Sequence, residues 1–257
     1  MTRAIDGIVV GAGLEKDPPF LARPTQGVSR GDIQGASRRG TLDDTQRVSR
    51  RAAALELSVL IVLVEVVEWI VPLLPQPKLV YLGFWVLIAT LLFLSFLRDR
   101  RTPRQLGLTF IGFTQVLLDL AIPLGVFVLL MLAIGVISGT LRLENKFLSM
   151  LAAVPLWALQ QQYMLLAFSN HRLRLIVGQG KKSVLATAAL FGLLHLPNPT
   201  LASVCAVGGF IWAGEYERKP NLFAIALTHA VASAFLANSL PHSLLKNMVV
   251  GYNYFFK

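Results

Sequence analysis

The sequence has few charged residues and almost no cysteine. Only 15% of its 257 residues are charged, 14 of them acidic, and Cys205 is the single cysteine. One cysteine excludes an intramolecular disulfide and says nothing about the redox compartment. The first 50 residues also lack the apolar core, of roughly 7–15 residues, that a cleavable signal peptide contains. We therefore expect no such signal peptide.

Apolar residues dominate the composition. Hydrophobic residues make up 54% of the chain, and the mean hydropathy is +0.61. These values are typical of a polytopic membrane protein. The net charge of +10 is carried by short segments between apolar runs, which is the pattern of membrane loops rather than of a nucleic-acid-binding surface. We expect a lipid bilayer, and no nucleic acid, as a partner.

Seven apolar segments are candidates for helices that cross a bilayer. One crossing needs about 20 apolar residues, and the fifth and sixth segments are shorter, as helices around a cavity often are. We predict an all-α fold, a polytopic transmembrane helical bundle of about seven spans over residues 52–257. Residues 1–51 are predicted to be a disordered basic tail. The predicted spans are 53–74, 79–97, 116–138, 147–168, 183–197, 200–214 and 221–240.

Loop charges predict the orientation of the bundle. With a cytoplasmic N-terminus, 19 Lys and Arg residues fall on the cytoplasmic side and five on the other. Without the tail the ratio is still 10 to five. Because cytoplasmic loops of membrane proteins are enriched in Lys and Arg, we predict a multi-pass protein of a bacterial inner (cytoplasmic) membrane, with its N-terminus in the cytoplasm.

Polar side chains interrupt three of the predicted spans. Gln160–Gln162 lie toward the end of the fourth span, His195 at the end of the fifth and His229 within the seventh. Polar groups are costly in a bilayer and usually face the bundle interior. In the predicted orientation all three elements fall in the cytoplasmic half of the membrane. We therefore expect them to share one cavity.

Each of these side chains also has a purely structural interpretation. His195 is either a donor, proton carrier or metal ligand, or a neutral ring bonded to a backbone carbonyl. His229 and Ser233 are four residues apart and hence on one helix face, although Ser233 can instead bond back to its own helix. Three adjacent glutamines point about 100° apart, so they cannot all face one cavity.

Acidic residues occur in two settings near the spans. Glu65 and Glu68 are three residues apart in the first span, where a carboxylate is either functional or a protonated group paired with a neighbouring helix. Glu215 and Glu217 follow the sixth span beside Arg218, where a solvated cytoplasmic turn explains them. Two histidines without a convincing third ligand make a poor zinc site, so neither metal nor cofactor is expected.

The order of polar groups over residues 150–240 resembles a known family. The pair Gln161-Gln162 is followed by Phe-x-x-x-His ending at His195, and then by His229 with the small polar residue Ser233 four positions later. This pattern is similar to that of the CAAX-protease and bacteriocin-processing (Abi) family of intramembrane endopeptidases. The segment 101–108 resembles the connector ahead of that family's core. The resemblance implies a hydrolase acting on a membrane-associated or lipidated peptide.

The resemblance also implies roles for the polar residues. In the family, a Glu-Glu pair with a following Arg activates water, the middle histidine assists, and the last His with its Asn stabilises the oxyanion. These roles fall on Gln161, Gln162, His195, His229 and Ser233. The chain departs from the pattern at both glutamates, at the arginine, which is leucine here, and at the asparagine. An amide cannot serve as a general base.

Three hypotheses follow. The chain is an intramembrane endopeptidase with a substitute base, for which Glu65, Glu68 or a histidine acting directly are candidates. Alternatively it is a pseudo-protease that binds or protects a membrane peptide without cleaving it. The third hypothesis, a small transporter, is disfavoured because the sequence has no detectable inverted repeat.

Overall fold

All regular elements in the described part of the chain, residues 48–143 and 145–256, are helices in the computed structural model. Residues 1–47 of the predicted tail lie outside the described residues, and its last two residues already belong to the first helix. Short 3₁₀ turns occupy Val71–Leu73, Lys246–Met248 and Gly251–Phe255. The α-helices are α1 Arg50–Trp69, α2 Pro77–Asp99, α3 Phe113–Ile137, α4 Asn145–Gln162, α5 His171–Val177, α6 Lys181–Leu193, α7 Pro199–Arg218, α8 Leu222–Ser239 and α9 His242–Leu245.

The helical, membrane-embedded character predicted from the sequence is confirmed. Each of the seven predicted spans overlaps one helix, namely α1 to α4 and α6 to α8. Within the described residues, α2, α3 and α8 are long and apolar enough to cross a membrane. Large apolar side chains cover the outer faces of α2 and α3, with Leu79 67% exposed and Ile122 78% exposed. Such faces are typical of helices that contact lipid. Crossing by the other four helices stays a prediction.

Asparagine and serine side chains define where three of the helices begin. Ser49 Oγ accepts a hydrogen bond from the backbone N–H of Ala52 at the start of α1. The side-chain oxygen of Asn198 caps α7, and that of Asn221 caps α8. Each cap satisfies a backbone donor that has no partner within the helix. These caps fix where α1, α7 and α8 begin.

The connections between helices form two groups at opposite ends of the bundle. At one end, the backbone N–H of Leu222 donates to the carbonyl of Gly107 at 2.8 Å, which joins the α2–α3 connector to the start of α8. At the other end, Thr140 Oγ1 donates to the carbonyl of Ser239 at 2.6 Å, which joins the ends of α3 and α8. The first end carries the 101–108 connector, which is predicted to be cytoplasmic. Because α3 and α8 are joined both where they begin and where they end, they run in the same direction.

The helix of the fourth predicted span does not end near residue 168. Instead, α4 continues through a π-helical segment, Tyr163–Asn170, directly into α5, which ends at Val177. At 1.5 Å per residue, the glutamine pair lies roughly 22 Å from that helix end. The position of the glutamines in the cytoplasmic half of the membrane stays a prediction.

A buried arginine joins three helices at the predicted cytoplasmic end. Arg172 is 0% exposed; its Nε lies 2.9 Å from Glu56 of α1, and its Nη1 lies 2.6 Å from Asp99 of α2. The guanidinium also stacks on the Phe168 ring, with 4.8 Å to the centroid. The loop-charge interpretation of Arg172 is corrected by these contacts: the residue is a buried ion-pair partner, and it fixes the first half of α1.

Candidate functional site

A cavity of about 220 Å³ lies between α1 and the core helices α4, α6, α7 and α8. Most of its wall is apolar, including Leu60 and Val64 of α1, and Met248 and Val250 close it from the C-terminal segment. Cavities of this kind, with a few converging polar groups, are typical ligand sites. The polar side chains in the wall are Glu68, Gln160, Gln161, Ser169, His195, His229 and Ser233, together with Cys205 and the indoles of three tryptophans.

Gln162 and His229 form a direct pair in the core. Gln162 is 0% exposed, and its side-chain nitrogen lies 3.0 Å from Nδ1 of His229. The amide therefore donates to Nδ1, which must be unprotonated to accept. In a neutral imidazole the proton then resides on Nε2. As a result, His229 offers a donor, rather than a base, at its second nitrogen.

His195 has the opposite tautomer. Its Nδ1 lies 2.6 Å from the backbone carbonyl of Phe191. A carbonyl can only accept, so Nδ1 carries the proton and Nε2 holds a lone pair. The backbone bond that the sequence allowed as a structural interpretation is thus present, yet it leaves the second nitrogen of this cavity-lining ring as an acceptor. The two histidines are complementary, one a donor and the other an acceptor.

Aromatic rings surround His229. The Trp212 ring lies 4.6 Å from the imidazole centroid, and Trp157 and Phe191 both lie at 6.0 Å. The edge of Phe191 also meets His195, with 4.8 Å between centroids. Phe191 thus contacts both histidines. This packing fixes the imidazole planes, and an apolar surrounding strengthens any hydrogen bond they make to a ligand.

The glutamines leave acceptor atoms without partners. The side-chain oxygens of Gln161 and Gln162 are buried and make no hydrogen bond within the described part of the protein. Gln160 and Gln161 line the cavity, whereas Gln162 lies behind His229. Two of the three glutamines therefore face the cavity, and the third contacts a lining residue. This agrees with the expectation that three adjacent glutamines cannot all face one cavity. A buried orphan acceptor is costly and marks a place where a donor from a ligand fits.

Of the other residues predicted from the sequence, two line the cavity and one does not. Ser233 lines the cavity one turn after His229, and its hydroxyl makes no hydrogen bond to another described residue. Glu68 lines the cavity too, while Glu65 is not part of the wall. Within residues 48–143 and 145–256, no group of three or more His, Cys, Asp and Glu residues is arranged to hold a metal ion.

The acidic residues after the sixth predicted span are not in a solvated turn. Glu215 is 1% exposed and pairs with Arg218. Glu217 accepts hydrogen bonds from Asn170 at 3.1 Å and Ser183 at 2.5 Å, and so links the π-helical segment to α6. Their positions in α7 place them toward the bundle, which the charged neighbours in the sequence concealed.

Sequence reasoning missed part of the cavity wall. Trp85 of α2, Phe127 of α3 and Cys205 of α7 line it, but apolar residues in apolar helices give no signal of which way they face. Met248 and Val250 come from a C-terminal segment that was not assigned to any span. The π-helical segment would have been the best indication of the site, since such segments are frequent at functional sites. The sequence does not predict it.

The comparisons with known proteins agree with this core. Residues 161–235 match the family model described as type II CAAX prenyl endopeptidase Rce1-like. The match begins at Gln161 and includes His195, His229 and Ser233. No curated protein and no solved structure was found to match the chain. The resemblance to the CAAX-protease family is therefore confirmed over residues 161–235 of this membrane protein.

Proposed function

We propose that this protein binds a membrane-associated peptide in the cavity and holds its backbone between the two histidines. The observation that carries the proposal is the complementary pair of tautomers. His229 Nε2–H is a donor for a peptide carbonyl, and His195 Nε2 is an acceptor for a peptide N–H or for water. A peptide bond presents one group of each kind.

The remaining polar groups suit the same ligand. The unpartnered oxygen of Gln161 accepts from a second backbone N–H, and the Ser233 hydroxyl adds a donor beside His229. A ligand that bonds to these groups gains affinity, because a buried polar group without a hydrogen bond costs roughly 1–3 kcal/mol. This set of groups favours binding of a peptide backbone rather than of a particular side chain.

The apolar wall supports a lipid-facing or lipidated peptide. Leu60, Ile61 and Val64 form one side of the cavity, and Trp85 and Phe127 come from the outer helices α2 and α3. A hydrophobic side chain or an attached lipid chain would remove this surface from contact with water, at about 25 cal/mol per Å². A strongly charged peptide would meet no neutralising partner there except Glu68.

The family resemblance suggests endopeptidase activity, but the glutamine pair supports a pseudo-protease as the second candidate. Gln161 and Gln162 stand where the family has its water-activating glutamates, and amides do not take up protons. In this alternative the protein binds and shields its peptide without cleaving it. Binding is common to both candidates.

The test uses a photoreactive peptide and the single cysteine. A short apolar peptide, with and without a farnesylated cysteine, would be cross-linked to the protein in detergent or in liposomes. We expect adducts on residues of the cavity wall, and slower alkylation of Cys205 when the peptide is present. The matched variant His229→Phe should lose both effects while staying folded, since the ring remains between the tryptophans. Equal cross-linking in the variant, or adducts only on outer faces, would count against the proposal.

We also propose a multi-pass arrangement with a cytoplasmic N-terminus and the opposite end of the bundle outside. Its support is the excess of Lys and Arg in the segments at one end and the grouping of those segments with one another. Reporter fusions at residues 112, 139 and 219 should place the first and third in the cytoplasm and the second outside. Any other pattern excludes the seven-span topology.

A further inference from the structure

We infer that Glu68 supplies the general base of a peptide hydrolysis in this cavity, in place of the glutamates that the sequence lacks. The inference rests on the proposed peptide binding and goes beyond it. Of the described residues, Glu68 is the one Asp or Glu that lines the cavity. Its helix, α1, lies outside the segment that matches the family model, so this carboxylate comes from a different part of the chain.

The position of Glu68 is fixed by the C-terminal segment. Gly251 packs directly on the backbone of Glu68: a Cβ atom built on this glycine would lie 2.8 Å from the Glu68 carbonyl carbon and closer still to its oxygen. The N–H of Gly251 donates to the carbonyl of Leu196 at 3.3 Å. Leu196 follows His195 in the chain. Gly251 therefore bridges the last turn of α1, which carries Glu68, and the turn after α6, which carries His195.

The other end of α1 is fixed as well. Glu56, three turns before Glu68, is bonded to the buried Arg172. Between these two anchors the cavity-facing residues are Leu60, Ile61 and Val64. Because α1 is held at both ends, Glu68 belongs to a defined wall of the cavity and does not depend on a mobile helix.

The Glu68 carboxylate has no structural partner. It makes no hydrogen bond or ion pair with any other described residue. An ionisable group inside a membrane protein is normally paired unless it has a function. The cavity-lining carboxylate of Glu68 is thus available for chemistry.

The chemistry is balanced with the groups present. The Glu68 carboxylate takes a proton from a water molecule held by His195 Nε2, and the water oxygen forms a bond to the peptide carbonyl carbon. His229 Nε2–H donates to the oxyanion that develops. When the C–N bond breaks, the proton on Glu68 passes to the amide nitrogen, which leaves as an amine. The other product is a carboxylic acid, and the enzyme is regenerated.

The experiment measures binding and cleavage on the same samples. A quenched apolar peptide, farnesylated or not, would be given to the wild type, Glu68→Gln, Glu68→Ala and Glu65→Gln, with the photoreactive peptide reporting binding. We expect Glu68→Gln to lower kcat by about 10²-fold or more with KM and thermal unfolding unchanged. Glu65→Gln should behave as the wild type, and formate should restore part of the activity of Glu68→Ala, which a structural role would not allow.

The outcomes separate the inference from the proposed function. If the wild type binds the probe but does not cleave it, Glu68 is not a base and peptide binding stands. If Glu68→Gln cleaves as fast as the wild type, the base lies elsewhere. If the wild type neither binds nor cleaves, the proposed function fails, and the inference fails with it.

Discussion

The side-chain nitrogen of Gln162 lies 3.0 Å from Nδ1 of His229, 67 residues later in the chain. An amide in this position donates a hydrogen bond to Nδ1 of the imidazole, whereas a carboxylate would accept one from Nδ1–H. Glutamine at position 162 therefore has two effects. It removes a possible base, and it also keeps the proton of His229 on Nε2, where it can be donated to a ligand.

The first prediction concerns this tautomer. In Gln162→Glu we expect Nδ1 of His229 to become protonated and Nε2 to lose its fixed donor role, because the carboxylate accepts from Nδ1. Solid-state ¹⁵N NMR of histidine-labelled protein measures both nitrogens. Gln160→Glu is the matched control, since Gln160 lies at the cavity rim without a bond to His229. Unchanged nitrogen shifts in Gln162→Glu would contradict the assignment.

The second prediction concerns the buried ion pairs. We expect Arg172→Met to lower the free energy of unfolding by about 3–5 kcal/mol, because Glu56 and Asp99 lose a buried partner. Arg98 contacts the same two carboxylates but is 44% exposed, so Arg98→Met should cost no more than about 1 kcal/mol. Denaturation in mixed detergent micelles measures both. Equal losses in the two variants would show that burial of Arg172 is not the cause.

The third prediction concerns pH. Burial, together with Arg101 and Arg172, lowers the pKa of His171 from 6.5 to about 4, although Asp99 opposes this. The unfolded chain then binds a proton more readily than the folded one between about pH 6.5 and 4. Stability is fully present above that window and falls through it as the pH decreases.

The measurement is the free energy of unfolding as a function of pH. We expect His171→Gln to lose the slope between about pH 6.5 and 4, while His242→Gln, a change of an exposed histidine near the C-terminus, keeps it. A slope that persists in His171→Gln would assign the titration to another group.

The fourth prediction concerns the contact between Gly251 and Glu68. Gly251 has φ +59° and no room for a Cβ, whereas Gly139 has φ +67° and open space around it. Both alanine variants should lose about 1–2 kcal/mol from the positive φ. Gly251→Ala should lose about 1–3 kcal/mol more through overpacking, and alkylation of Cys205 should become faster as the cavity opens. Identical unfolding of the two variants would contradict this packing.

The sequence predicted the helices, and it predicted that Gln161, His195 and His229 are special, because polar residues are conspicuous in apolar runs. It left open whether Glu68 reaches the cavity, since that depends on Arg172 and Gly251, which are distant in the chain. Helix faces were equally hidden. In α2 and α3 both the lipid-facing and the core-facing sides are apolar, so periodicity does not report orientation as it does in water.

The π-helical segment Tyr163–Asn170 changes the direction in which the residues after it face. Its wider turns accommodate extra residues, so the face of α4 and the face of α5 are rotated relative to an uninterrupted α-helix. One continuous helix can thereby present Gln162 to α8 and, ten residues later, Arg172 to α1 and α2. Removing a single residue from this segment would turn one of these two side chains away from its partner, so the ligand site and the anchoring of its wall share one local irregularity.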